Sequence, residues 1–576
     1  MNLTRLSILF LAGAAACAPA TQPGAAGGSS SVGMPPVAAA GELPLKHAPR
    51  PTTAAISAAD LMTRLYLIAD DSMRGRQVGD VGNVKATDYI AAEFRRMGLE
   101  PAGENGTFFQ TVPLVRRAFD ERSSLSVEGT ELRPWTDFLL RDQGPGARSL
   151  NGVQAVFGGT LGDDASMIPA AAGAGKLVLV AVRPGPNGQT PWNVRRSVMP
   201  LYPEAAGVAV VAMEQVPAET RESLRETGIQ LSTGQSSPSA SFLWVSQGTA
   251  RALMGAPLEG MRPGTAGRTV SGNVRYVEAP AAHPSRNVVA VLRGSDPAAR
   301  GQYVVIGAHN DHEGVSARAV DHDSLRAYNR VMRPAGANDD PGTPSAAQRA
   351  RIRAAVDSVR RIRPARADSV FNGADDDGSG TVTLMEIAEE LAASPARPKR
   401  SILFVSHTGE EAGLLGSQWF TDNPTVPRDS IVAALNMDMV GRGMATDLST
   451  GGPGYIQIIG SRRLSTELGD IVDATNAARP QPMRIDYSFD AAGHPLNRYC
   501  RSDHYMYARY GIPITYLSRG YHIDYHMLSD EPQYISYDEM AKVAGFVRDI
   551  ALGVANRDRR IVVDKPKPDP NAPCRQ

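Results

Sequence analysis

Residues 303–311 read YVVIGAHND, an unbroken apolar run from Tyr303 that stops on His309, Asn310 and Asp311. With no polar alternation, both faces of such a strand are expected to be covered. The same texture recurs at 288–292, 402–405, 432–435 and 514–517, with helical periodicity between and after these runs at 381–391 and 540–552. Apolar strands interleaved with helices predict an α/β fold, with ligands beyond the carboxyl ends of the strands.

Four of those strand ends finish in groups able to bind a metal. YVVIGAH leads to His309 and Asp311; ILFVSHTGE leads to Glu410-Glu411; VAALNMD ends at Asp438; ITYLS leads through a turn to Tyr525-His526. A fifth group, Asp375-Asp376-Asp377-Gly378-Ser379-Gly380, opens the helix at 381–391. Each alone has an ordinary structural explanation, such as a hydrogen-bonded histidine, a helix-capping aspartate run or a surface glutamate pair. Together at one sheet end they would repel or lose hydration unless cations neutralised them. Two imidazoles, several carboxylates and no thiolate form a donor set suited to zinc, with manganese or cobalt as substitutes. Calcium fits poorly: with Gly378 as the turn glycine of an EF-hand, positions 1 and 12 fall on Gly373 and Leu384. HExxH and G-x-S-x-G are both absent, which argues against a helix-borne single-zinc protease and a serine hydrolase.

In order and local context these pieces (His309-Asn310-Asp311, GADDDGSG, GEEAGLLGS, NMDMVGR, and SDH followed by YHMLSD) resemble the M28 family of zinc peptidases. The stretch LMTRLYLIADDSMRGRQVGDVGN…DYIAAEFRRMGLEPAG is similar to the family's opening helices, so the likeness covers roughly 58–140 and 285–555. The resemblance implies a three-layer αβα zinc-peptidase domain with a mixed central sheet, binding two Zn2+ per chain. By that likeness His309 and Asp438 hold one zinc, Glu411 and His526 the second, and Asp376 bridges both. Asp311 would orient His309, Glu410 would be the general base, and Tyr525 would stabilise the oxyanion. A cis peptide at Asp376–Asp377 is implied as well. The expected activity is removal of N-terminal residues from peptides; relatives also include dipeptidases, carboxypeptidases, glutaminyl cyclases and inactive receptor-like proteins. His312 and Glu313 read as surface or supporting groups, and Ser502-Asp503-His504 as a structural or pocket element.

Outward from this domain the texture changes. Residues 51–143 read as its N-terminal part, with helices carrying Leu61, Leu65 and Ile68, then Tyr89, Ile90, Phe94 and Met97. Residues 144–284 hold short apolar runs between Gly/Pro/Asn turns and read as a small β-rich insert, similar to a protease-associated domain. The catalytic part is expected over 285–556 and a tail over 557–576. Within it, 313–370 is crowded with Arg and Asp around one amphipathic helix (Ile352, Val356, Val359, Ile362) and reads as a solvated surface insertion. Residues 1–17 read as an export signal, with Arg5, an apolar stretch and Cys17 where a bacterial lipoprotein would carry its lipid; plain secretion is the alternative. Residues 18–50 are small and Pro/Gly/Ser-rich, the composition of a tether. The expected location is therefore periplasmic, cell-envelope or secreted, with membrane contact only through Cys17. An oxidising compartment permits, without requiring, a Cys500–Cys574 disulfide. Lys+Arg and Asp+Glu are both 60, so nothing points to nucleic acid, and peptides are the expected partners.

Overall fold

A computed structural model describes residues 43–141, 147–163, 166–185, 188–225, 228–232, 239–339, 342–572 and 574–576. The export signal, Cys17 and most of the 18–50 tether lie outside the described residues. No helix among the described residues is long and apolar enough to cross a membrane. The chain divides into two units, one of residues 113–280 and one built from the segments on either side.

The larger unit is organised on a nine-stranded sheet. Its strands are β1 (Glu100–Pro101), β2 (Phe109–Val112), β3 (Ser285–Leu292), β4 (Tyr303–His309), β5 (Ser401–His407), β6 (Ile431–Met437), β7 (Tyr455–Ile459), β8 (Arg484–Asp486) and β9 (Ile514–Ser518). The order is β1-β3-β5-β4-β6-β9-β7-β8, with β2 also pairing β3. The pairs β5–β4, β4–β6 and β6–β9 are parallel, whereas β3–β5 and β9–β7 are antiparallel, so the sheet is mixed.

Burial on both faces explains the unbroken apolar runs. Val288, Ala290, Val304, Ile306, Ile402 and Phe404 pack into one core with α1 (Ala58–Ile68), α2 (Val81–Arg96), α5 (Gly380–Ala393) and α7 (Tyr537–Ala555). The intervening residues Val289, Val291, Val305, Leu403 and Val405 pack with Phe420, Tyr507 and Ile512 on the other face. Alternate residues thus enter different cores, the period of two expected of a strand in a three-layer αβα domain. The disulfide Cys500–Cys574 is present in this unit.

The smaller unit carries an eight-stranded sheet and a three-stranded sheet with their own apolar cores. The apolar runs at 153–157, 177–182 and 208–211 are neighbouring parallel strands of the larger of these sheets. This unit begins at Pro113, not near residue 144. The strand Leu114–Phe119 pairs with Gly228–Leu231 and Tyr276–Pro280, and Phe138–Arg141 pairs with Ser241–Val245. Partners more than a hundred residues away settle the boundary, and local texture does not reveal them.

Helix α5 is held by charge as well as apolar packing. Arg64 of α1 is fully buried and pairs with Glu386 and Glu389 of α5. Removing one member of a buried ion pair costs about 3–5 kcal/mol, because the other is left desolvated and unpaired. Arg64→Met should lower the stability of the larger unit by that amount in urea unfolding. Adding Glu386→Leu should recover part of the loss, and a single variant as stable as wild type would refute the clamp.

Candidate metal centre

The parallel registers bring the strand ends together. His309 lies opposite His407 across β4–β5, Gly307 opposite Asn436 across β4–β6, and Met437 opposite Leu517 across β6–β9. The loops that follow therefore leave from one sheet edge, bearing Glu410 and Glu411, Asp438, and His526. The acidic loop 375–377 meets them there, immediately before α5.

Asp376 is the meeting point. Its Oδ1 is 3.1 Å from His309 Nε2 and its Oδ2 is 3.1 Å from His526 Nε2. Asp438 Oδ1 is 3.9 Å from the same His309 nitrogen, and Glu411 Oε2 is 3.1 Å from the same His526 nitrogen. An oxygen of Glu410 lies within 4.8 Å of the His309 and Asp438 donors. The five residues expected to hold metal thus form two groups sharing one aspartate, with Glu410 beside the first.

The electrostatics of this edge call for cations. His309 Nε2, His526 Nε2 and Asp438 Oδ1 are buried with no well-directed hydrogen bond. Burial raises the Glu410 carboxyl well above its ordinary range, with Glu411 and Asp438 adding to the rise and His309 opposing it. Burial also raises Asp438, to about 6. Against burial, His309 and His526 hold Asp376 well below the usual carboxylate range. Unsatisfied nitrogen and oxygen donors aimed into one anionic space, with no thiolate among them, fit a divalent metal centre.

Residues 287–551 match the family model described as Peptidase family M28. The likeness to peptidase family M28 falls within the larger unit. Leucine aminopeptidase 1 of Aspergillus fumigatus is 29% identical over 195 residues, which cover 31% of this chain and 47% of that protein. A probable leucine aminopeptidase 1 of Trichophyton verrucosum is 29% identical over 195 residues, covering 31% and 48%. The chain thus spans about half the length of the curated relatives it matches. Among solved structures, an aminopeptidase from Aneurinibacillus sp. strain AM-1 aligns at TM-score 0.45 with 15% identity, covering 89% of this chain and 97% of that one. BSAP, a zinc aminopeptidase from Bacillus subtilis, aligns at TM-score 0.42 with 14% identity, covering 87% and 95%.

Around the site the supporting residues are as specific as the donors. Asp311 accepts from His309 Nδ1 through its backbone oxygen at 3.1 Å, and its carboxylate lies 3.7 Å from the same nitrogen. The same carboxylate accepts the backbone N–H groups of Glu410 and Glu411 at 3.1 and 3.3 Å, so Asp311 sets both the imidazole and the glutamate loop. The peptide Asp376–Asp377 is cis, as the family resemblance implies.

Sequence reasoning missed several of the braces. Asp377 accepts the amides of His309, Gly380 and Met439, tying two strand ends to α5. Asp530 accepts the amides of Asp375 and Asp376 at 3.0 and 3.1 Å. Arg76, 1% exposed, donates to the carbonyls of Asn310, Asn372 and Gly373 beneath the site. Gly373 has φ +52°, and a Cβ there would sit 2.3 Å from the Asp376 carbonyl oxygen and 2.5 Å from the His312 ring. Both Arg76 and Asp530 lie in stretches that carry the family resemblance, so position in a motif was the available signal.

The insertion departs from the sequence expectation. Glu313 Oε1 lies 3.0 Å from His526 Nδ1, and His312 Nδ1 lies 2.6 Å from Glu411 Oε1, so both groups belong to the site. A ribbon of Gly314–Asp321 and Ala367–Phe371 encloses α3 (His322–Met332) and α4 (Ala346–Arg360). Helix α3 is largely buried: Arg326 pairs with Asp524, and Asn329 donates to Asp524 and Ser529, two residues and three residues from His526. Asp323 takes both Arg360 and Arg363. Helix α4 is otherwise largely exposed, with Val359 its one buried residue, so the insertion braces the His526 loop through α3 while its α4 half is solvated as expected.

Tyr525 stacks on His526 with ring centroids 3.8 Å apart, and Tyr521 stacks on Tyr525 at 4.6 Å. Hydrogen-bonded partners of metal-binding side chains commonly change affinity by about 10–100-fold. Glu313→Gln should weaken divalent-metal binding by that factor in a chelator-competition titration. Affinity equal to wild type would mean the Glu313–His526 contact has no role in metal retention.

Proposed function

We propose that this chain is an exported zinc exopeptidase that hydrolyses the N-terminal peptide bond of peptides. His309, Asp438 and Asp376 would hold one zinc ion, and Glu411, His526 and Asp376 the second. The observation that carries the reading is the shared Asp376, with one carboxylate oxygen on each imidazole. The aminopeptidase names of the curated relatives support the choice of substrate. Export is supported by the leader-like residues 1–17 and by the Cys500–Cys574 disulfide. The smaller unit would be the protease-associated-like insert.

Zinc bound here would supply electrophilic activation of the scissile carbonyl and would acidify water. The residues supply the rest. Glu410, half-buried beside the first group and outside the donor set, takes the proton of the attacking water on its carboxylate and returns it to the departing amine. Asp311 fixes the Glu410 backbone, so the carboxylate does not have to be ordered during the reaction. Tyr525, fixed by stacking between His526 and Tyr521, is assigned to the oxyanion.

Glu410→Gln should keep zinc stoichiometry while lowering kcat by about 10²–10⁴-fold, the range of general acid–base catalysis. Chelation should abolish cleavage and zinc readdition restore it, and N-acetylation of the peptide should abolish cleavage by the loaded enzyme. A Glu410→Gln enzyme near wild-type rate would remove the base, and equal cleavage of acetylated peptides would remove the exopeptidase reading.

A further inference from the structure

Two arginines flank the ring of Tyr521, and their circumstances differ. Arg498 is 1% exposed, with its guanidinium carbon 4.1 Å from the ring centroid. It donates to Gln457 Oε1 and Asn338 Oδ1, so its fork is occupied by the fold. Arg501 has its guanidinium carbon 5.2 Å from the same centroid but is solvent-exposed. Among the described residues, no hydrogen bond or ion pair occupies its guanidinium. Tyr521 acts most on its charge, against partial burial, with Tyr525, the assigned base Glu410 and Tyr516 adding to it.

The segment that carries Arg501 is anchored. Cys500 is joined to Cys574, the Tyr499 amide donates to Gln576 Oε1 at 3.1 Å, and the Arg501 amide donates to the Arg498 carbonyl at 3.1 Å. The cation is thus presented on a fixed backbone beside the Tyr521–Tyr525 stack. An arginine fork offers five donors in a plane that matches a carboxylate, and a neighbouring aromatic face favours it as a cation without consuming those donors.

We propose that Arg501 is a specificity-determining residue that binds a carboxylate of the substrate beside the Tyr521–Tyr525 stack. The proposal rests on the exopeptidase reading of the same site. The carboxylate has three sources: the C-terminus of a dipeptide, an acidic side chain at the first residue, or one at the second.

Matched pairs separate these sources on the zinc-loaded full chain: Leu-Gly against Leu-Gly amide, glutamyl against glutaminyl nitroanilide, and Leu-Glu amide against Leu-Gln amide. Wild type should show a KM at least about tenfold lower for the acid in one pair. Arg501→Gln should bring that ratio close to one, and Arg501→Lys should retain part of it, because a point charge replaces a planar fork. Equal zinc content in the three proteins excludes a disturbed centre. The proposal fails if no pair shows a preference for the acid, or if Arg501→Gln leaves the preference intact. If no pair is hydrolysed, the exopeptidase reading fails, and calorimetric binding of the same pairs to wild type and Arg501→Gln still decides the role of Arg501.

Discussion

A carboxylate buried between two imidazoles must stay ionised to be useful, and burial works against ionisation. Asp376 meets that constraint by presenting one oxygen to His309 and the other to His526. Its backbone is fixed from two sides: Asp530 accepts its amide, and Arg76 lies beneath the adjoining carbonyls. The flanking aspartates do different work. Asp375 accepts the Gly441 amide and Asp377 the amides of His309, Gly380 and Met439, so both are oriented by neutral donors. Of three consecutive acids, one addresses the centre and two bind it to the sheet edge and α5.

The αβα core was legible because its signal is local. A strand buried on both faces is apolar nearly throughout, and the runs at 288–292, 303–308, 402–405, 432–435 and 514–517 are, with Thr515 the polar exception. The donors were legible because each follows such a run, directly or after a turn, or opens a helix. What escaped depends on distant partners. The strand Leu114–Phe119 belongs to the smaller unit only because Gly228–Leu231 and Tyr276–Pro280 pair with it. Strand β8 is an edge strand of three residues and β7 carries the polar Gln457 at its middle, so neither reads as an unbroken apolar run.

The insertion shows the same limit in electrostatic form. A segment rich in Arg and Asp looks solvated when its residues are considered singly, since isolated buried charges are costly. Around α3, pairing reverses the inference. Asp323 is 3% exposed and carries two arginines, and Asp524 is fully buried against Arg326 and Arg442. Composition does not distinguish a solvated charge run from an interlocked one, because the difference lies in which residues face each other. The length of the insertion is tolerable on entropic grounds, since loop-closure cost grows only logarithmically with length. Its ends are pinned as a ribbon, so the added residues act as structure and not as slack.

The two imidazoles of the centre are held in different ways. His309 is 1% exposed, ends a central strand and is oriented by Asp311, two residues along its own chain. His526 sits in a loop with its side chain 22% exposed and φ at 55°, a conformation that costs a non-glycine residue about 1–3 kcal/mol. It is kept there by Glu313 on Nδ1, by Tyr525 against its ring, and by Asp524 gripped from α3. A donor fixed by its own strand leaves little room for variation. One fixed by an insertion, an aromatic stack and a strained loop can be repositioned by changes in any of the three. The His526 side is therefore where the fold can alter the spacing of the donor set without disturbing the sheet that holds His309.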